Sequence, residues 1–247
     1  MTNPTISVVI ACFNARATLA TALDSLLAQS YLDVEIVVVD GASRDGTVEL
    51  IQSYSDRIST WISEPDAGIY DAWNKGLRLA KGEWISFLGA DDVYLPNALY
   101  IYANYIAAHP GLDYVSGRVE LFDELGKTRV IGEPWKWARF RRFMCVAHVG
   151  SLHARKLFDN HGQYDTAYRV CGDYELLLRA GAGLRAGFVD TILARMKTGG
   201  ISGTNRCVHD ETLRAKVNTH AVTPLMAESD RLVATAKWQL RNMLGRL

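Results

Sequence analysis

The chain has 247 residues, of which 49% are hydrophobic, 22% charged and 10% aromatic, which excludes collagen-like, disordered and disulfide-scaffold classes. Lys and Arg total 27, as do Asp and Glu, so net charge gives no footing for a nucleic-acid partner. The charge is unevenly spread: residues 1–110 hold 6 basic and 13 acidic side chains, and residues 111–247 hold 21 and 14.

Residues 6–10 (ISVVI) form a β-branched run that reads as a buried strand. Leu19, Leu23, Leu26 and Leu27 then recur at helical spacing. Residues 34–39 are almost continuously apolar, as a strand covered on both faces should be. A turn-rich loop follows (DGASRDGT, 40–47), then a helix starting at Val48, Leu50 and Ile51. The pattern continues with a weaker strand over 58–62, a helix over 69–80 and a strand over 84–88. Pro96 suits the first turn of a helix reaching His109. Strand and helix thus alternate through the first 110 residues, which predicts an α/β fold with a parallel sheet and right-handed crossovers.

Past Gly111 the regularity weakens. Residues 114–121 and 127–131 read as paired strands, 173–180 as a short helix and 188–196 as a strand. Residues 211–216 and 225–246 read as helices. The four cysteines (Cys12, Cys145, Cys171, Cys207) form no CxxC pair and read as reduced thiols. No basic leader and no apolar run of spanning length is present, so the expectation is a cytoplasmic protein.

Ligands of open α/β sheets bind beyond the carboxyl ends of the strands. This chain places Asn14, Asp40 and the pair Asp91-Asp92 there. A carboxylate at a strand end can accept hydrogen bonds from a ribose or base edge, and two adjacent ones can hold a divalent cation through hard oxygens. No GxGxxG follows the first strand and no GxxxxGK[ST] occurs, so a glycine-loop cradle for phosphates is excluded and a metal is expected in its place.

Residues 7–14 (SVVIACFN) and 37–47 (VVVDGASRDGT) resemble the N-terminal signature of family 2 glycosyltransferases. Residues 63–76 (SEPDAGIYDAWNKG) and 82–92 (GEWISFLGADD) match its next two blocks. His148 with 171–179 (CGDYELLLR), and 199–202 (GGIS), resemble later ones. The resemblance runs over residues 5–202 and is nearest to bacterial enzymes of capsule, exopolysaccharide and O-antigen synthesis.

The resemblance implies a GT-A fold: a mostly parallel central sheet flanked by helices, with C-terminal helices. It also implies a nucleotide-sugar donor, Mn²⁺ or Mg²⁺, and inversion at the anomeric carbon. Asp40 falls on the base-reading aspartate, with Ala11 and Phe13 flanking the base pocket and Asn14 on the donor side. Ala11 stands where Thr is commoner. Asp91 faces the ribose or the metal's waters, and Asp92 is the metal ligand. Asp173 falls on the general base, preceded by Gly172 where the family often has Glu. The QxxRW motif of processive synthases is absent, which points to single-sugar addition.

Lys75 is a candidate for a donor phosphate and His148 for the acceptor hydroxyl or the diphosphate. Trp73 reads as core. Residues 133–144 pack four cations and four aromatics into twelve positions, and residues 231–247 are basic and amphipathic. Both suit peripheral membrane contact and a saccharide or lipid-linked saccharide acceptor. The expected division is a catalytic domain over 1–204, with donor half 1–110 and acceptor half 111–204, and a helical extension over 205–247. Two other readings remain at this stage: a sugar nucleotidyltransferase and a non-catalytic nucleotide-sugar-binding module. The first would want a Gly- and Arg-rich loop after the first strand, where ACFNAR (11–16) has no Gly.

Overall fold

The computed structural model describes residues 5–123, 125–199 and 207–243. Its first half holds strands β1 (Ile6–Cys12), β2 (Val34–Asp40), β3 (Thr60–Ser63), β4 (Trp84–Gly89) and β5 (Val93–Tyr94). Between them run helices α1 (Leu19–Leu27), α2 (Thr47–Ser53) and α3 (Ile69–Leu79), and α4 (Ala98–Ala108) follows. The second half adds β6 (Tyr114–Phe122), β7 (Thr128–Ile131), α5 (Trp137–Phe140), β8 (Leu152–Ala154) and α6 (Arg155–His161). It continues with α7 (Gly172–Ala180), β9 (Ala186–Lys197), α8 (Cys207–Asn218) and α9 (Pro224–Met243).

Among the described residues the strands form one sheet in the order β3-β2-β1-β4-β8-β6-β9-β5, with β7 on β6. β1 is buried along its whole length. Val8, Ile10 and Cys12 enter one core, while Val9 and Ala11 enter the other. This two-sided burial explains a continuous apolar run where a half-exposed strand would alternate. The first core packs α1 and α4 on the sheet, and the second packs α3, α6 and α7 on its opposite face.

The first four sheet positions are parallel, as the alternation predicts. The register levels their carboxyl ends: Cys12 pairs with Asp40, Ala11 with Gly89, and Asp40 with Ser63. Beyond β4 the sheet is mixed. β8 runs antiparallel to both β4 and β6, and β6 runs parallel to β9. β5, β8 and α6 carry no sequence period, because two, three and seven residues are too few to show one. β3 lies later than the expected 58–62, and α8 is longer than the expected 211–216.

The segment after α5 is tied to the last two helices by a buried ion cluster. Asp230 of α9 is 1% exposed and accepts from Lys216 Nζ of α8 and Arg142 Nε, each at 2.9 Å. Lys216 is equally buried, so loss of Asp230 would strand an ammonium away from water. Among the described residues no helix is long and apolar enough to cross a membrane.

Candidate active site

The carboxyl ends of β1 and β2 lead into two turns that are stapled together. The Ser43 hydroxyl accepts from Asn14 N at 2.7 Å, and Asn14 Oδ1 accepts from Arg44 N at 3.0 Å. Asn14 has φ 49°, a left-handed value that Asn tolerates better than most residues. Asp45 then accepts from Arg16 N and from Thr47 at the start of α2. Asn14 is therefore a scaffold of the donor rim.

Asp40 lies beneath this rim and is fully buried. It accepts from Ser43 N at 2.9 Å, from Ser63 Oγ at 2.6 Å and from the Ser43 hydroxyl. Its carboxylate organises the loop instead of standing open on the crevice. The side chains that do reach the rim are Phe13, 65% exposed, and Asp66. A Cβ at Gly41 would lie 2.6 Å from Asp66 Oδ2 and 3.2 Å from Phe13 Cδ2, so ring and carboxylate converge over that glycine. Asp66 is absent from the sequence-based candidates. Its signal is a fourth acid after a strand end, just beyond β3, held by its bond from Gly68 N at 2.8 Å.

Ala11, expected to flank the base pocket, is 6% exposed and belongs to the core on one face of β1. Lys75 Nζ donates to Pro65 O at 2.6 Å and pairs with Glu64 at 2.9 Å and Asp71 at 3.7 Å. The ammonium braces the segment that carries Asp66.

Asp91 and Asp92 follow β4. Asp91 is exposed, and Asp92 is 4% exposed with Oδ1 accepting from Lys197 N of β9 at 3.2 Å. A Cβ at Gly89 would lie 2.6 Å from Asp92 Oδ2 and 3.1 Å from Asp91 Oδ1. Only glycine lets both carboxylates crowd above the strand end. Burial, reinforced by the neighbouring Asp91 charge, raises the Asp92 carboxyl to about 7. Two adjacent hard carboxylates, one buried and one open to solvent, suit a divalent cation. Among the described residues no cluster of three or more His, Cys, Asp or Glu has metal-binding geometry. Among the described residues, this pair is the candidate for a cation.

Asp173 is the second residue of α7. Its Oδ1 accepts from its neighbour Tyr174 N at 2.8 Å and from Tyr70 Oη of α3 at 3.2 Å. Burial raises the carboxyl to about 6 against these two bonds. A Cβ at Gly172 would lie 2.8 Å from the Tyr70 ring. Tyr70 thus fills the space next to the base that a Glu at 172 would need. The loop entering α7 is gripped from α8: the Glu211 carboxylate accepts from Arg169 N, Val170 N and Cys171 N at 2.8, 2.8 and 2.9 Å. Glu211 left no sequence signal, because its partners lie 40 or more residues away.

Asp92 and Asp173 line one cavity of about 490 Å³, together with Trp73, His148 and residues of β6, β7, β9 and α8. Trp73 belongs to the core, stacked on His148 at 4.9 Å, yet one face of it reaches this cavity. His148 is buried, its Nε2 lies 3.1 Å from Tyr164 Oη, and burial lowers its pKa to about 3. It is neutral at physiological pH and lines the cavity as an uncharged imidazole. Of the Gly199-Gly200 loop and the block 199–202, only Gly199 is described; residues 200–202 lie outside the described residues.

Residues 7–155 match the model of the family described as Glycosyl transferase family 2. A PGL/p-HBAD biosynthesis glycosyltransferase of Mycobacterium tuberculosis is 33% identical over 189 residues, covering 72% of this chain and 70% of the relative. An uncharacterized glycosyltransferase of Rickettsia typhi is 38% identical over 97 residues, 39% of this chain and 30% of its own. Among solved structures, S. aureus TarS 1-349 in complex with UDP-GlcNAc superposes with a TM-score of 0.74 at 17% identity, over 92% of this chain and 70% of that one. The mannosyltransferase PcManGT from Pyrobaculum calidifontis, in complex with GDP-Man and Mn²⁺, gives 0.64 at 18% identity, over 96% and 75%. These likenesses place the chain in the GT-A fold.

Proposed function

The chain belongs to glycosyl transferase family 2, and from that membership we propose that it moves one sugar from a nucleotide-sugar donor to an acceptor hydroxyl, with inversion, in bacterial cell-surface saccharide synthesis. The observation that carries the proposal is one cavity shared by Asp92, at the end of a donor-side strand, and Asp173, at a helix start on the other side. In-line displacement needs a leaving group and a base on opposite faces of the anomeric carbon.

Phe13 and Asp66 receive the nucleobase on the rim, with Asp40 and Asn14 holding the loop beneath them. Asp92 would hold Mn²⁺ or Mg²⁺, with Asp91 facing the ribose or the metal's waters, and the ion would supply charge stabilisation to the departing diphosphate. Asp173 takes the proton from the acceptor hydroxyl as that oxygen bonds to the anomeric carbon and the bond to the diphosphate breaks. A carboxylate within hydrogen-bond reach typically contributes 10²–10⁴-fold this way. Tyr70 and Tyr174 N occupy Oδ1, and among the described residues none engages Oδ2, the oxygen assigned to the proton.

The division into donor half 1–110, acceptor half 111–204 and extension 205–247 is part of this reading, as is a cytoplasmic location. So is peripheral membrane contact with a lipid-linked acceptor. Support for the contact comes from exposed Phe143 and Met144 beside Arg142, and from exposed Leu232, Val233 and Leu240 on α9.

The test is a panel of UDP-, GDP- and dTDP-sugars scored for nucleoside diphosphate release. One nucleotide class should be turned over with Mn²⁺ or Mg²⁺ and spared in EDTA. No turnover with any donor would overturn the reading.

A further inference from the structure

The cavity between Asp92 and Asp173 is walled by Val119, Ile131, Met144, Val149, Met196 and Val208. These come from β6, β7, the segment before β8, β9 and α8, so the apolar wall is assembled from several separate elements of the second half of the chain. Most polar groups that line it are already engaged. His148 Nε2 bonds Tyr164, Tyr70 Oη bonds Asp173, and Thr212 Oγ1 lies 3.4 Å from Cys171 Sγ. Arg169 is exposed at the rim. Trp73 Nε1 is buried without a partner, which leaves one donor for a ring or ether oxygen.

A fully hydroxylated hexose carries several hydroxyls beyond the one that attacks. Each would leave water for a wall of methyl and methylene groups, an unfavourable transfer without new hydrogen bonds. We propose that this cavity selects an acceptor whose attacking hydroxyl sits on an apolar body, either an aryl ring or a deoxygenated sugar. Its hydroxyl lies against Asp173, and its apolar flank lies against the valine, isoleucine and methionine wall. The inference rests on the glycosyltransferase reading and narrows its acceptor.

The test is calorimetric titration of the whole protein, with UDP and Mn²⁺ present, using three soluble probes. These are 4-methylphenol, a methyl 6-deoxyhexopyranoside and the matching methyl hexopyranoside. At least one of the first two should bind about tenfold or more tighter than the hydroxylated hexoside, the size of effect a hydrophobic pocket exerts on one polar group. Which of them leads tells the aryl source from the deoxy-sugar source. Equal binding of all three, tighter binding of the hydroxylated hexoside, or no binding of any probe overturns the proposal.

Val208→Thr and Met144→Gln place polar atoms in the wall at positions that are not fully buried, and thermal melting checks that each is folded. In a folded variant the discrimination should shrink to within about threefold; undiminished discrimination in both overturns the proposal. If no nucleotide sugar is turned over while the probe preference persists, the transferase reading fails and the pocket's selectivity stands. If donors are turned over and the preference is absent, the reverse holds.

Discussion

The Tyr70 hydroxyl and the Asp173 carboxylate, 103 residues apart, meet at 3.2 Å, and the Tyr70 ring covers Gly172 so closely that no side chain fits there. Asp173 is therefore held by a phenol, at a place where Gly172 leaves no room for a second carboxylate. A phenol donates a hydrogen bond and favours the ionised base, whereas a carboxylate would oppose it.

Turnover should follow the ionisation of Asp173. Its carboxyl stands near 6, so kcat/KM should fall as pH drops through about 6. Tyr70→Phe removes a bond to the charged form, raises the carboxyl further and should move the acid limb to higher pH. An unmoved limb would show that the bond does not set the titration.

Replacing the base has two opposite effects. Asp173→Asn should lower turnover by roughly 10²-fold or more with donor affinity unchanged. Because the folded carboxyl is raised from 3.8 to about 6, its contribution to stability is full below 3.8 and lost as pH rises through 6. The Asn variant should thus be the more stable protein above pH 6, by roughly 1–3 kcal/mol in urea unfolding. Full activity in that variant would move the base elsewhere.

The acid pair can be probed with and without changing its charge. Asp92→Ala should abolish most turnover, as should EDTA. Gly89→Ala keeps both carboxylates but places a methyl 2.6 Å from Asp92 Oδ2, so it should displace them and reduce turnover by about tenfold or more. Native activity in Gly89→Ala would show that the pair's placement is not critical.

On the donor rim, contact and support should separate. Phe13→Ala and Asp66→Ala should weaken UDP or GDP binding by about 1–3 kcal/mol with little change in unfolding. Asp40→Ala leaves Ser43 and Ser63 without their acceptor, and should cost about 2–3 kcal/mol of stability as well as nucleotide affinity. Calorimetry beside urea titration distinguishes the two patterns.

Much of the donor half is legible in the sequence, because βαβ units advertise themselves. Two-sided burial makes β1 and β2 continuous apolar runs, and strand ends mark where ligands bind. Asp91, Asp92 and Asp173 stand out for that reason or through the family blocks. Other features left no local trace. Lys75 looks like a phosphate ligand, and its partners Glu64 and Pro65 show only in the fold. Asp40 looks open until Ser63 pairs beside it. The phenol that holds the base is set by a meeting of α3 and α7, which no period or spacing encodes.

Glu211 shows a further dependence. Three backbone N–H groups ahead of Asp173 converge on its carboxylate. Glu211→Ala should cost about 2–3 kcal/mol and reduce turnover more than donor affinity. The Glu211 charge also raises the Asp173 carboxyl slightly, so the variant's acid limb should move to lower pH. A purely structural residue would lower the yield of folded protein and leave that limb in place.

The grip of α8 on the entry to α7 also bears on truncation. The donor half begins with neighbours in sequence, β1 with α1 and β2, but β4 takes β8 and β5 takes β9 as partners, and α6 and α7 cover the face that holds Val9 and Val37. The base loop waits for residue 211, and the Arg142 segment waits for Asp230. A chain that ends before residue 211 therefore leaves the N–H groups of Arg169, Val170 and Cys171 without that acceptor.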